Sequence, residues 1–97
     1  MRRHARTLLL MATRKVLAQV LMATRAPGHA ARKAAVAVLA ALAKRLGSNY
    51  LPLLPEALPF LAELLEDVEP QVRAAASQLV LQLEGLSGER LDSFLKA

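Results

Sequence analysis

The sequence contains no cysteine, no tryptophan and only three aromatic residues, one Tyr and two Phe, among 97. Lack of thiols removes both a disulfide framework and a thiolate metal site; a small secreted disulfide scaffold is thereby excluded, and an intracellular compartment is permitted without being required. With so few aromatics, the 55% of hydrophobic residues must build a core from Leu, Ala and Val, which favour or tolerate helices. Long apolar runs are also missing. The longest uncharged one, Ala34 to Ala43, has ten residues, about half of the roughly 20 that a membrane span needs. The four glycines are scattered, so no Gly-rich phosphate loop is formed. A chain of this length buries only about 60 to 65% of its unfolded surface, which limits it to one small domain.

Acid is absent from the first half. Residues 1–48 hold ten Lys or Arg and no Asp or Glu, whereas 49–97 hold three Lys or Arg and eight acids, so a net charge of +5 divides into +10 and −5. Two readings stand side by side: different neighbours, an acidic or nucleic-acid one for the first half and a basic one for the second, or an acidic helix pair facing a basic one within a longer stack. The acid-free stretch Met1 to Lys15, with Arg2, Arg3, Arg6, Arg14 and Lys15, also has the make-up of a mitochondrial leader. Its amphipathic pattern runs on without a break into Val16 to Thr24, as a first structural helix would.

Hydrophobic spacing predicts the elements. Leu9, Leu10, Thr13, Val16, Leu17, Val20 and Leu21 recur at three and four, giving a helix over about 5–24. Ala26-Pro27-Gly28-His29 breaks it. Val36, Leu39, Leu42, Ala43 and Leu46 mark a second helix over about 30–46, ended by Gly47. Despite Pro52, Pro55 and Pro59, the leucines at 58, 61, 64 and 65 keep helical spacing. This predicts a lead-in turn and a helix over about 55–66, kinked near Pro59. After the turn Asp67-Val68-Glu69-Pro70, a fourth stripe of Val72, Ala75, Ala76, Leu79, Val80 and Leu83 should stop at Gly85 and Gly88. A last short helix over 89–95, extending at most to 96, would present Leu91, Phe94 and Leu95 on one side as a cap.

These elements repeat. Placing Arg32 on Arg73 also places Ala34 and Ala35 on Ala75 and Ala76, Leu39 on Val80, Leu42 on Leu83 and Gly47 on Gly88. If the first loop is three residues longer than the second, Leu17 falls on Leu61 and Leu21 on Leu65. Two helices per period of about 40 is the range of HEAT and armadillo arrays. The expected fold is therefore all-α: a HEAT/armadillo-like α-α superhelix with one helix pair over 5–47, a second over 50–85 and a cap over 89–96.

The segment Asp67-Val68-Glu69-Pro70-Gln71-Val72-Arg73-Ala74-Ala75-Ala76 resembles the HEAT consensus, an acidic turn followed by Val-Arg and small residues. More narrowly, several stretches are similar to the extreme C-terminus of the U3 small nucleolar RNA-associated protein 10 / HEAT repeat-containing protein 1 family. These are Leu53-Leu54-Pro55-Glu56, then Pro59 through Asp67, then Gln82-Leu83-Glu84 before Gly88-Glu89-Arg90-Leu91. The resemblance reaches back to about Val16 and is strongest in Pro55 to Asp67. It implies the terminal tip of a long nucleolar solenoid: a non-enzymatic scaffold of the small-subunit processome, tied to pre-18S rRNA processing and rRNA transcription. The implied partners are processome proteins and pre-rRNA or U3 snoRNA. No membrane, small molecule or cofactor is implied.

Candidate chemistry is sparse. His4 and His29 each stand without a second His or carboxylate at helical spacing, so no metal site is expected. With no Cys and with serines confined to turns or the C-terminal half, no nucleophilic set forms and no catalytic residue is expected. Glu63, Glu66, Asp67 and Glu69 read as a solvated helix end ahead of the next helix. Arg32 and Arg73, equivalent in the repeat, read as structural together with Asp67 and Pro59; each arginine should reach a neighbouring turn or an acid such as Asp67. Arg14, Lys15, Arg25, Lys33, Lys44 and Arg45 repeat nowhere and form the candidate surface for RNA or an acidic partner. Without interleaved aromatics such a surface would follow backbone charge and not read bases. Because repeats lean on their neighbours, the isolated chain is also expected to self-associate through an uncovered face.

Overall fold

A computed structural model describes residues 2–95, with side chains over 11–95. His4, Leu9, Leu10, the arginines at 2, 3 and 6, and Lys96 of the expected cap lie outside the described side chains or residues. Five α-helices and one 3-10 helix follow in order: α1 (Arg2–Ala23), α2 (His29–Leu46), the 3-10 helix (Gly47–Leu53), α3 (Leu54–Leu65), α4 (Pro70–Ser87) and α5 (Asp92–Leu95). Among the described residues there is no strand. The two antiparallel pairs stack side by side, and the all-α solenoid architecture is as the periodicity indicates.

Helix boundaries follow local chemistry. α2 ends because Gly47, at φ 54°, takes a backbone shape that a Cβ disfavours, and its N–H returns to the Ala43 carbonyl. α4 ends at Gly88, in the left-handed region at φ 73°, with its N–H on the Glu84 carbonyl. Gly85, expected to help stop this helix, instead lies inside it; an isolated glycine weakens a helix without ending it. Pro55 sits in the first turn of α3, where no N–H is needed, and the helix continues through Pro59 to Leu65. The expected lead-in turn is a full 3-10 segment, and the cap is shorter than anticipated. Leu91 is buried and Leu95 packs on the core, but Phe94 stays 58% exposed.

One continuous core joins both pairs: Leu17, Leu21, Val36, Leu39, Ala43, Tyr50, Leu53, Ala57, Leu61, Leu64, Val72, Ala76, Leu79 and Leu83 are all buried. The 3-10 helix contributes Tyr50 and Leu53 to it. α2 and α4 pack most extensively, α1 and α3 each pack on their own partner, and α5 lies on α3. α1 and α3 hardly approach one another. Alanines at 35, 40, 43, 75 and 76, buried or packed against the core, allow the close approach of α2 and α4. One layer is therefore tight and the other splayed, which curves the stack with α2 and α4 on its inner side. The connections 24–28 and 66–69 differ by one residue, not the three expected. The buried positions Leu17, Leu21 and Thr24 match Ala57, Leu61 and Leu64 in spacing.

The molecule extends 47 × 28 × 21 Å with a radius of gyration of 13.6 Å, above the about 12.5 Å of a compact chain this long. Among the described residues no helix is long and apolar enough to cross a membrane.

Candidate docking surface

The second helix of each pair opens with an arginine, and the two arginines do the same thing. Arg32 Nη1 donates to the carbonyl of Ala26, and Arg73 Nη1 to that of Asp67, each six residues earlier. Each thereby fixes the turn that precedes its helix, answering a carbonyl of that turn. Arg32 does more: Nε donates to Asp67 Oδ2 at 2.8 Å and Nη2 to Oδ1 at 3.0 Å, a bidentate fork from the first pair to the second. Asp67 Oδ1 also accepts the Glu69 N–H at 3.0 Å, the local turn that short acidic side chains favour. Hydrogen bonds from Arg32 and from the Glu69 backbone hold the Asp67 carboxyl below its ordinary value. The same hydrogen bond raises the Arg32 guanidinium above its own. Side-chain exposures of 14% and 9% mark this as the least solvated ion pair described.

Around it lies a cleft of about 400 Å³ lined by Thr24, Arg25, Ala26, Pro27, Arg32, Glu63, Leu64 and Asp67. Its charges are already matched. Arg25 Nη2 meets Glu63 Oε2 at 2.6 Å and its guanidinium lies 4.3 Å above the Phe60 ring centre. Arg14 Nε meets Glu56 Oε1 at 3.2 Å. Three arginines of the first pair thus reach three acids of the second, which accounts for much of the charge asymmetry between the halves. Glu63 and Asp67 are accordingly not members of a merely solvated helix end.

The six basic candidates are therefore divided. Arg14 and Arg25 answer internal acids, and Lys15 is exposed on α1. Lys33, Lys44 and Arg45 are exposed on α2, where Lys33 Nζ donates to Gln71 Oε1 at 3.2 Å. Between α2 and α4 a groove of about 440 Å³ is lined by His29, Ala30, Lys33, Ala34, Ala37 and Gln71. Further along, Gln82 Nε2 donates to the Ala40 carbonyl at 2.9 Å, a second tie between these helices. Gln71 and Gln82 carry no hydropathic or charge signal, and the sequence marks them only as members of the family-like stretches, with no sign that they tie α2 to α4. Pro59 is exposed on α3 and lines neither cavity. Among the described residues no group of three His, Asp or Glu could hold a metal ion.

Curved pairs, a repeated turn-fixing arginine and an arginine fork to the next pair's aspartate describe a helical-repeat stack, and the HEAT-like repeat family matches over residues 29–82. The chain belongs to this family. It is 43% identical over 76 residues to HEAT repeat-containing protein 1 of Homo sapiens, covering 78% of the chain but 4% of that protein. To the HEAT repeat-containing protein 1 homolog of Drosophila melanogaster it is 40% identical over 77 residues, 79% of the chain and 4% of the relative. U3 small nucleolar RNA-associated protein 10 of Emericella nidulans is 45% identical over 64 residues, 66% of the chain and again 4% of the relative. The chain thus spans a small fraction of the relatives it matches. No solved structure matches it.

Proposed function

We propose that this HEAT segment is a non-enzymatic scaffold element of the small-subunit processome, supporting pre-18S rRNA processing and rRNA transcription in the nucleolus by docking partner proteins. The observation that carries this reading is the 45% identity to a protein named for association with U3 small nucleolar RNA. The matched internal charges support it as well: the cleft between the turns is organised to join helix pairs and presents no set of groups for chemistry. The mitochondrial alternative gains nothing from the relatives' names.

Affinity purification of the tagged chain from cells, with mass spectrometry of bound protein and sequencing of bound RNA, tests the assignment. Enrichment of processome proteins with U3 and precursor ribosomal RNA is the expected result. Recovery of unrelated proteins only would leave a generic HEAT adaptor and end the ribosome assignment.

A second reading, direct RNA binding, rests on Lys15, Lys33, Lys44 and Arg45, all exposed on α1 and α2. It requires affinity that falls steeply with salt and weakens evenly when Lys33 and Lys44 are changed to Ala.

A further inference from the structure

The groove between α2 and α4 differs from the cleft at the turns in having no counter-charge. α2 contains no acid, and α4 contains only Glu84, whose carboxylate accepts the Leu91 N–H. Lys44 and Arg45 suit the last turn of α2, where the helix dipole favours cations. Lys33, in the second turn, has no acid on its own helix, and its Nζ is met by the neutral Gln71 Oε1 at 3.2 Å.

The groove is lined on α2 by Ala30, Lys33, Ala34 and Ala37, and the same face of the helix continues beyond it through the exposed Ala41 to Lys44 and Arg45. α4 adds Gln71. Lys33 and Lys44 are eleven residues apart, or about 17 Å along the helix. We propose that this groove and the α2 face that continues it hold an acidic amphipathic helix of a partner protein, its small and apolar face on the alanines and its carboxylates on Lys33 in the groove and on Lys44 and Arg45 beyond it.

The charge pattern selects this occupant over nucleic acid. A nucleic acid carries a phosphate at every nucleotide, one per roughly 3.4 Å of axis on each strand of a duplex, and would leave several charges over a neutral floor, whereas a helix can place acids three turns apart and apolar residues between them. The walls, largely alanine methyl groups, suit a helix face, and the one ring among them, the His29 imidazole, leaves no second ring for a run of bases to stack on. The proposal rests on the docking reading above but not on the ribosome assignment.

The test is fluorescence anisotropy with the whole chain and a labelled helical peptide of about 18 residues, carrying an Ala/Leu face and glutamates three turns apart. A twin with lysines in place of the glutamates and a labelled single-stranded RNA serve as controls. The acidic peptide should bind roughly tenfold tighter than its twin. The Lys33→Glu/Lys44→Glu variant should lose about that factor. Ala37→Trp, which changes no charge, should weaken the peptide comparably and leave any RNA binding unaltered. Far-UV circular dichroism confirms that both variants keep the fold. Equal binding of the two peptides, indifference to Ala37→Trp, or binding of RNA without peptide would overturn the proposal. Peptide binding together with a failed processome purification would keep this groove and remove only the ribosome assignment.

Discussion

Asp67 closes the junction between the pairs from both sides: its carboxylate takes the Arg32 fork and the Glu69 N–H, and its carbonyl takes Arg73. Because its folded pKa is depressed, its contribution is present above the unfolded carboxylate range and is lost as pH falls through the folded value. Acid should therefore lower the thermal midpoint of the native chain, and Asp67→Asn should lower it at neutral pH while flattening the acid dependence. Thermal melts of both proteins at stepped pH check this. Tyr50 is the opposite case. Its side chain is fully buried, its hydroxyl has no hydrogen-bond partner among the described residues, and burial pushes its pKa up to about 12. Below an unfolded value near 10 the full stability is present; between about 10 and 12 the unfolded chain ionises first and stability declines. As the sole tyrosine, it can be followed by ultraviolet absorbance, which should show no phenolate in the native chain until well above pH 10. Tyr50→Phe should remove that high-pH decline and, by deleting an unsatisfied polar group, stabilise the chain by about 1 kcal/mol at neutral pH.

At the scale of elements the periodic stripes were legible, and the boundaries less so. α2 and α3 lie within one residue of the expected spans, because proline and glycine punctuate both. Gly85 and Gly88 looked alike in sequence, yet only Gly88 takes a positive φ. Spacing alone cannot say which of two nearby glycines carries the turn. The two should answer substitution oppositely. Gly88→Ala should cost about 1 to 2 kcal/mol through its left-handed backbone. Gly85→Ala, helical and with nothing within 4 Å of a built Cβ, should gain about 0.5 to 1 kcal/mol. Urea titrations of the two variants decide it. The roles of Arg32 and Asp67 were readable because the repeat set two arginines at equivalent places. Arg14 and Arg25 were not, since nothing in a one-dimensional charge block says that α3 will bring Glu56 and Glu63 alongside. The same limit hid the division of the basic candidates between internal pairs and an open groove.

For the molecule as a whole, the shared core makes the two pairs one unfolding unit. Leu39 is fully buried within that core, so Leu39→Ala should cost about 2 to 5 kcal/mol. A chain of this size has roughly 5 to 15 kcal/mol in total. Circular dichroism should then show both pairs melting together at a lower temperature, and a first pair that survived alone would contradict a single core. The order in which the chain is made adds a temporal consequence. The acids that answer Arg14, Arg25 and Arg32 all lie in the second pair, and the Arg32 to Asp67 contact spans 35 residues. At about 5 to 20 residues per second, a ribosome releases the cationic pair roughly two to seven seconds before its counter-charges exist. In that interval the nascent helices present an unneutralised basic surface, and whatever anionic chaperone or nucleic acid is nearby has the first claim on it.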